Sequence, residues 1–229
     1  KGGAQGGSMR TAIQYALAPP PAGRPGVLYR PHCCHRLDRP TTGLLLCAKT
    51  KPVLVALQRA FTERRVKKTY IAIVAGDVRG DAGEIDADLD DKSAVTGWEV
   101  RRRARSLKLG HITELVLSPR TGRTHQARRH CAEVLGCPIV GDTAYGGASV
   151  GSGLFLCACS LELEHPAWAG GPPLRVECEP PEKHESLLRR EQQRWERLGV
   201  EASAAQGLAS SGRAHPALNA RDGVSGSRS

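Results

Sequence analysis

The sequence predicts an α+β fold: a mixed, mostly antiparallel central sheet with flanking helices. Short apolar or β-branched runs follow one another, separated by Gly, Asp and Ser. The few stretches with helical periodicity fall in clusters and do not alternate with the strands, and no internal repeat is present. Strand-rich order with segregated helices is the pattern of α+β architecture.

Along the chain, residues 1–26 are rich in Gly, Ala and Pro and predict a poorly structured N-terminal segment with one short helix near 9–17. Residues 44–48 are a compact apolar run, expected as a buried strand. A helix follows over 51–63, with Pro52 in its first turn and Leu54, Leu57 and Phe61 on one face. Strands are expected over 68–75, 84–89, 95–103 and 111–117. A second helix is expected over 124–135, where Ala127, Cys131, Val134 and Leu135 share a face and Gly136 suits the position after the last turn. Strands at 154–163 and 174–178 complete a domain spanning 27–180. A charged C-terminal helix is expected over 181–199, and the Ala-, Ser- and Gly-rich residues 200–229 as a disordered tail.

Lys and Arg total 33 against 23 Asp and Glu, a net charge of +10. A surplus of that size favours a polyanion, nucleic acid first, through counterion release. No apolar run approaches the ~20 residues of a membrane span. The eight cysteines include no CxxC pair: Cys33 adjoins Cys34, one residue separates Cys157 from Cys159, and Cys47, Cys131, Cys137 and Cys178 are scattered. That spacing argues against structural zinc and for small core residues in a reducing compartment. No acidic residue precedes Asp38, while Lys1, Arg10, Arg24 and Arg30 are basic. The expected location is intracellular, the cytoplasm or an organelle (mitochondrion or chloroplast).

Four segments carry chemistry. In His35-Arg36-Leu37-Asp38-Arg39-Pro40-Thr41-Thr42-Gly43-Leu44, one carboxylate lies between two guanidinium groups. Nearby cations favour the ionised carboxylate, keeping a nucleophile or base available at neutral pH. The second segment runs from Ser118 through Thr121-Gly122-Arg123-Thr124-His125-Gln126-Ala127-Arg128-Arg129-His130, a donor-rich turn leading into a helix start, where phosphates bind. His125 and His130 are five apart, which does not match the four-residue spacing of a helical zinc pair. The third, Lys67-Lys68-Thr69-Tyr70-Ile71-Ala72, places a tyrosine in an apolar strand. The fourth, Gly141-Asp142-Thr143-Ala144-Tyr145-Gly146, is by itself only a turn.

In this order and spacing the segments resemble the RluA-type pseudouridine synthases. Leu161-Glu162-Leu163-Glu164-His165-Pro166 resembles that family's last strand and its His-Pro end. The resemblance covers roughly residues 30–180. It implies the pseudouridine synthase catalytic fold and isomerisation of uridine to pseudouridine in structured RNA, rRNA or tRNA, with no cofactor and no metal. It implies Asp38 as catalytic aspartate, Tyr70 against the flipped base, Arg123 as the arginine paired with the aspartate, and Arg36 as the residue that displaces the target nucleotide. Arg39, Lys67, Lys68, Thr124, His125, Gln126, Arg128 and Arg129 are the expected further RNA contacts, and the chain is expected to act as a monomer. The family's upstream Lys-Pro-x-Gly strand and turn is missing unless Lys1-Gly2-Gly3 is its remnant, so the sheet is expected to lack its first strand. The alternative is a catalytically impaired RNA-binding protein that retains the fold. The intact set of Asp38, Tyr70 and Arg123 argues against it.

Overall fold

The structure is a computed structural model that describes residues 9–18, 20–21, 23–165 and 170–211. Lys1-Gly2-Gly3, Pro166 and the end of the tail lie outside the described residues. A short helix, α1 (Met9–Ala16), comes first, as its periodicity predicts. β1 (Val27–Cys33), which the sequence pattern did not announce, pairs antiparallel with β3 (Cys47–Thr50) in a two-stranded ribbon. Between them lies the two-residue strand β2 (Thr42–Gly43).

Helix α2 (Lys51–Thr62) starts on a proline-bearing turn and buries Leu54, Leu57 and Ala60. β4 (Lys67–Ala75), β5 (Ala82–Asp86), β6 (Val95–Ser106) and β7 (Gly110–Pro119) then form the antiparallel body of the main sheet. β8 (Leu156–Leu163) inserts beside β4, and β9 (Leu174–Glu177) pairs with β8. The strand order is β2-β8-β4-β7-β6-β5, and only β2 runs parallel to its neighbour.

Ile73, Val74, Ile112, Leu115, Leu117, Ile139 and Phe155, all buried, belong to the main core around β4 and β7. A second cluster joins α2 and the ribbon to Leu161 and Leu163 of β8. Helix α4 (Lys183–Ser211) docks on β6 through Leu187 and Leu188, 2% and 4% exposed, each contributing about 1.5–3 kcal/mol by burial.

Three sequence expectations change. Leu44, Leu45 and Leu46 form no strand; they are half-buried and carry the chain from the sheet to the ribbon. The Leu44 N–H donates to Ala158 O and the Leu46 N–H to His35 Nε2, so both amides are used without a ladder. The expected helix over 124–135 is a single α turn, α3 (Gln126–Arg129), followed by a π turn over His130–Val134. The wide turn accompanies a fully buried His130, whose ring meets Thr96 Oγ1 at 2.9 Å and Ala87 O at 3.2 Å. Finally, α4 continues past residue 199 to Ser211 through Ala202, Ala204 and Ala205, whose helix propensity outweighs the low complexity of that stretch.

Candidate active site

Asp38 lies between β1 and β2, and the anchor of its loop is glycine-dependent. Gly43 has φ of 112°, and a Cβ there would fall 2.3–2.8 Å from backbone atoms of Ala158. Only glycine allows β2 to lie this close to β8. Ala158 is in turn the register partner of Tyr70 on β4. The Thr-x-Gly segment therefore fixes the Asp38 loop over the strand that carries Tyr70. His35 supports the loop from the other side: its ring stacks on Phe61 at 4.7 Å and its Nε2 accepts the Leu46 N–H at 2.9 Å. Burial, opposed by a hydrogen bond with the Arg36 backbone and aided by Lys68, holds the His35 pKa below its usual value, as an accepting ring nitrogen requires.

The Asp38 carboxylate, 20% exposed, faces an imidazole and a guanidinium at equal range. His125 Nε2 is 3.8 Å from Oδ1 and Arg128 Nη1 is 3.8 Å from Oδ2. Both contacts are too long for hydrogen bonds. The spacing keeps the guanidinium charge close while leaving the oxygen lone pairs open to a substrate.

Each of those neighbours is held from behind by the 142–147 turn. Arg128 donates from Nε and Nη2 to the two oxygens of Asp142, both at 2.7 Å, with the two side chains 6% and 1% exposed. Its guanidinium also lies over the Tyr145 ring, 5.0 Å from the centroid. The hydrogen bonds it donates to Asp142, then the charges of Asp142 and Asp38, raise the Arg128 pKa against an opposing desolvation. His125 occupies the left-handed backbone region, with φ of 55°, and its Nδ1 hydrogen-bonds the Tyr145 hydroxyl at 2.8 Å. The turn closes tightly because Gly147 sits where a Cβ would overlap Ile139 O. The fourth motif, only a turn in sequence, thus supplies the two groups that orient Arg128 and His125 around Asp38.

Tyr70 completes the site. Its pKa is pushed up to about 12 by burial first and by the Asp38 charge second, so the phenol remains protonated at neutral pH.

Among the other expected residues, Arg123 stands away from the aspartate: its Nε donates to Ser93 O at 3.0 Å, and the guanidinium facing Asp38 belongs to Arg128. Residue 123 precedes the left-handed bend at His125, whereas residue 128 follows it and points back into the site. Gln126 is 4% exposed and spends its amide internally. Its oxygen accepts from Thr121 Oγ1 and Arg123 N, and its nitrogen donates to Val95 O and Thr96 Oγ1. It ties the motif loop to β6 and leaves nothing for RNA.

Several expected RNA-contacting cations are likewise engaged within the protein. Lys67 pairs with Glu162 at 2.6 Å, and Arg129 with Glu133 and Asp90 at 2.9 Å each. Lys68 donates to Thr121 O, with its pKa lowered by burial and then by Arg64. Arg36 and Arg39, by contrast, are exposed beside Asp38 with no ion-pair partner among the described residues, and Thr124 is exposed at the rim. Two groups that sequence reasoning did not place at the centre, Asp142 and Tyr145, are the ones the structure adds.

A family model described as RNA pseudouridylate synthase matches residues 22–133. An uncharacterized RNA pseudouridine synthase of Zymomonas mobilis is 40% identical over 153 residues, covering 58% of this chain and 67% of that protein. The dual-specificity RNA pseudouridine synthase RluA of Yersinia pestis is 37% identical over 163 residues, covering 63% of this chain and 76% of that one. Some longer relatives are spanned over about two fifths of their length. Among solved structures, human RNA pseudouridylate synthase domain containing 1 superposes with a TM-score of 0.57 at 27% identity, over 66% of this chain and 69% of that one. With its motifs placed around one carboxylate on the mostly antiparallel sheet, the chain belongs to the RluA-type RNA pseudouridine synthase family.

Proposed function

We propose that the protein isomerises uridine to pseudouridine in a structured rRNA or tRNA, with Asp38 as the reacting carboxylate. The observation that carries this reading is the placement of Asp38: 3.8 Å from both Arg128 and His125, hydrogen-bonded to neither, and near enough to Tyr70 to help keep its phenol protonated. The reaction breaks the uracil N1–C1′ bond and forms a C5–C1′ bond. N1 gains a proton and the C5 proton leaves to solvent, so the product is an isomer. An anionic group with open lone pairs is what such a step needs at the ribose or the base, and a desolvated site strengthens its effect. Reaching a stacked uridine costs a few kcal/mol, and an aromatic face returns about 1–3 kcal/mol per base. Tyr70 is the ring for that role, with Arg36 and Arg39 as the exposed cations for adjacent phosphates.

The likeness to proteins named for rRNA and tRNA modification supports the substrate class. We further infer a monomer acting without cofactor in the cytoplasm or an organelle. The test uses RNA labelled with tritium at uridine C5. The wild-type chain should release tritium to water, and Asp38→Asn should bind the same RNA without release. Release by Asp38→Asn equal to wild type would remove the aspartate from the chemistry. Binding without release by the wild type would instead make the protein an RNA clamp.

A further inference from the structure

Cys157, Cys159 and Cys178 meet in space although 18 residues separate the second from the third. Their sulfur atoms all lie within 4.8 Å of one another. Cys157 and Cys159 share one side of β8 because side chains alternate along a strand. The β8–β9 register, with Ser160 opposite Glu177, brings Cys178 opposite Cys159, and the Cys178 N–H donates to Cys159 O at 2.9 Å. The cluster packs with Ile71 and Val116, apart from the main core against which Tyr70 lies. Cys157 and Cys159 are 1% and 8% exposed, while Cys178 is half-buried and opens the cluster to solvent.

We propose that these three thiols form a binding site for one soft closed-shell cation, Zn²⁺ or Cu⁺, on the side of β8 away from the catalytic aspartate. Three sulfur donors with no imidazole or carboxylate among them select thiophilic ions over Mg²⁺ or Ca²⁺. A cation ~2.3 Å from each sulfur sets them about 3.8–4.0 Å apart, so closure needs a movement of about 1 Å, available to the half-buried Cys178. Each thiol that ligates releases its proton to solvent, so uptake strengthens as pH rises. The Lys183 ammonium, held on Ser152 O and Leu154 O, adds positive charge close to Cys157 and offsets the thiolates. Bound there, the ion would staple β8 to the segment leading from β9 into α4.

The full chain, kept reduced, is titrated with Co²⁺ as a spectroscopic stand-in for Zn²⁺, and separately with Cu⁺ against a chromophoric competitor. The expected result is one ion per chain, thiolate-to-cobalt charge-transfer absorption displaced by Zn²⁺ or a Cu⁺ complex that resists the competitor, and a raised melting temperature. Cys157→Ser and Cys178→Ser should each weaken binding on the order of tenfold or more. The combined change of Cys33, Cys34 and Cys47 to Ser should leave it intact. Cys178 is half-buried, so its variant decides the matter if Cys157→Ser does not fold. Absence of charge transfer together with no Cu⁺ retention would overturn the proposal. So would binding that persists in both single variants, or a Cys159–Cys178 disulfide in the purified protein.

Discussion

Two aspartates share one arginine here, and they are built for different work. Asp142 grips Arg128 with two 2.7 Å bonds at 1% exposure, while Asp38 stands 3.8 Å from the same guanidinium at 20% exposure. A carboxylate buried at 1% exposure and gripped on both oxygens is closed to a substrate; one held at a distance and part exposed keeps its oxygens within reach. Asp142 is therefore built to hold Arg128, and Asp38 is the carboxylate placed for the reacting role we propose. The difference comes from where each sits: Asp142 on a closed turn next to the helix it serves, Asp38 on a loop delivered from the far side of the sheet.

Removing the charge of each aspartate should give opposite signatures. Asp38→Asn should lower turnover by about 10³-fold or more while shifting stability within about 0.5 kcal/mol. A matching loss of melting temperature would mean that Asp38 is structural after all. Asp142→Ala leaves a buried guanidinium without its main partner, which typically costs about 3–5 kcal/mol. Thermal unfolding should show it as a drop of roughly 6–20 °C for a domain of this size. An unchanged melting curve would show that Arg128 re-pairs with Asp38 at no cost.

Smaller effects test the supports. Tyr145→Phe deletes the hydroxyl on His125 Nδ1 and should cost about 0.5–1.5 kcal/mol in transition-state binding, a several-fold fall in kcat/KM with the fold intact. Tyr70 adds a pH signature. Its folded pKa of about 12 lies above the ordinary value of 10, so its contribution to stability is complete below pH 10 and fades between 10 and 12. Tyr70→Phe should flatten that alkaline slope in a pH series of chemical melts; a slope identical to wild type would assign it to other groups. The smallest effect is expected at Arg123, where Ala removes one bond to Ser93 O. Turnover should stay within a few-fold, whereas Arg128→Ala should approach the Asp38→Asn level. The reverse ranking would restore Arg123 as the partner of the aspartate.

The motif residues and the strand-rich architecture were legible because each rests on local pattern: short apolar or β-branched runs, and cations flanking an acid. The partner of Asp38 was not, since Arg123 and Arg128 lie in one motif and only the left-handed bend at His125 decides which returns to the site. The internal duty of Gln126 was hidden for a related reason, because its four hydrogen bonds reach β6 and the loop before it. β1 escaped notice because Arg30, Pro31 and His32 interrupt its apolar character, and the ribbon it forms is stabilised by α2. The thiol cluster depends on the β8–β9 register, which no spacing rule encodes.

The Arg128–Asp142 clamp also bears on the order in which the molecule assembles. Its two residues are 14 apart in the chain, whereas Asp38 and Arg128 are 90 apart. Closing the longer loop costs about 1.6 kcal/mol more in chain entropy, and its anchors, β2 on β8 and His35 on Phe61, are themselves long-range. The segment from Gln126 to Gly147 can thus reach its final shape while the Asp38 loop is still searching. Slow refolding would then show protection of the clamp well before enzymatic competence, the Asp38 carboxylate being the last piece to arrive.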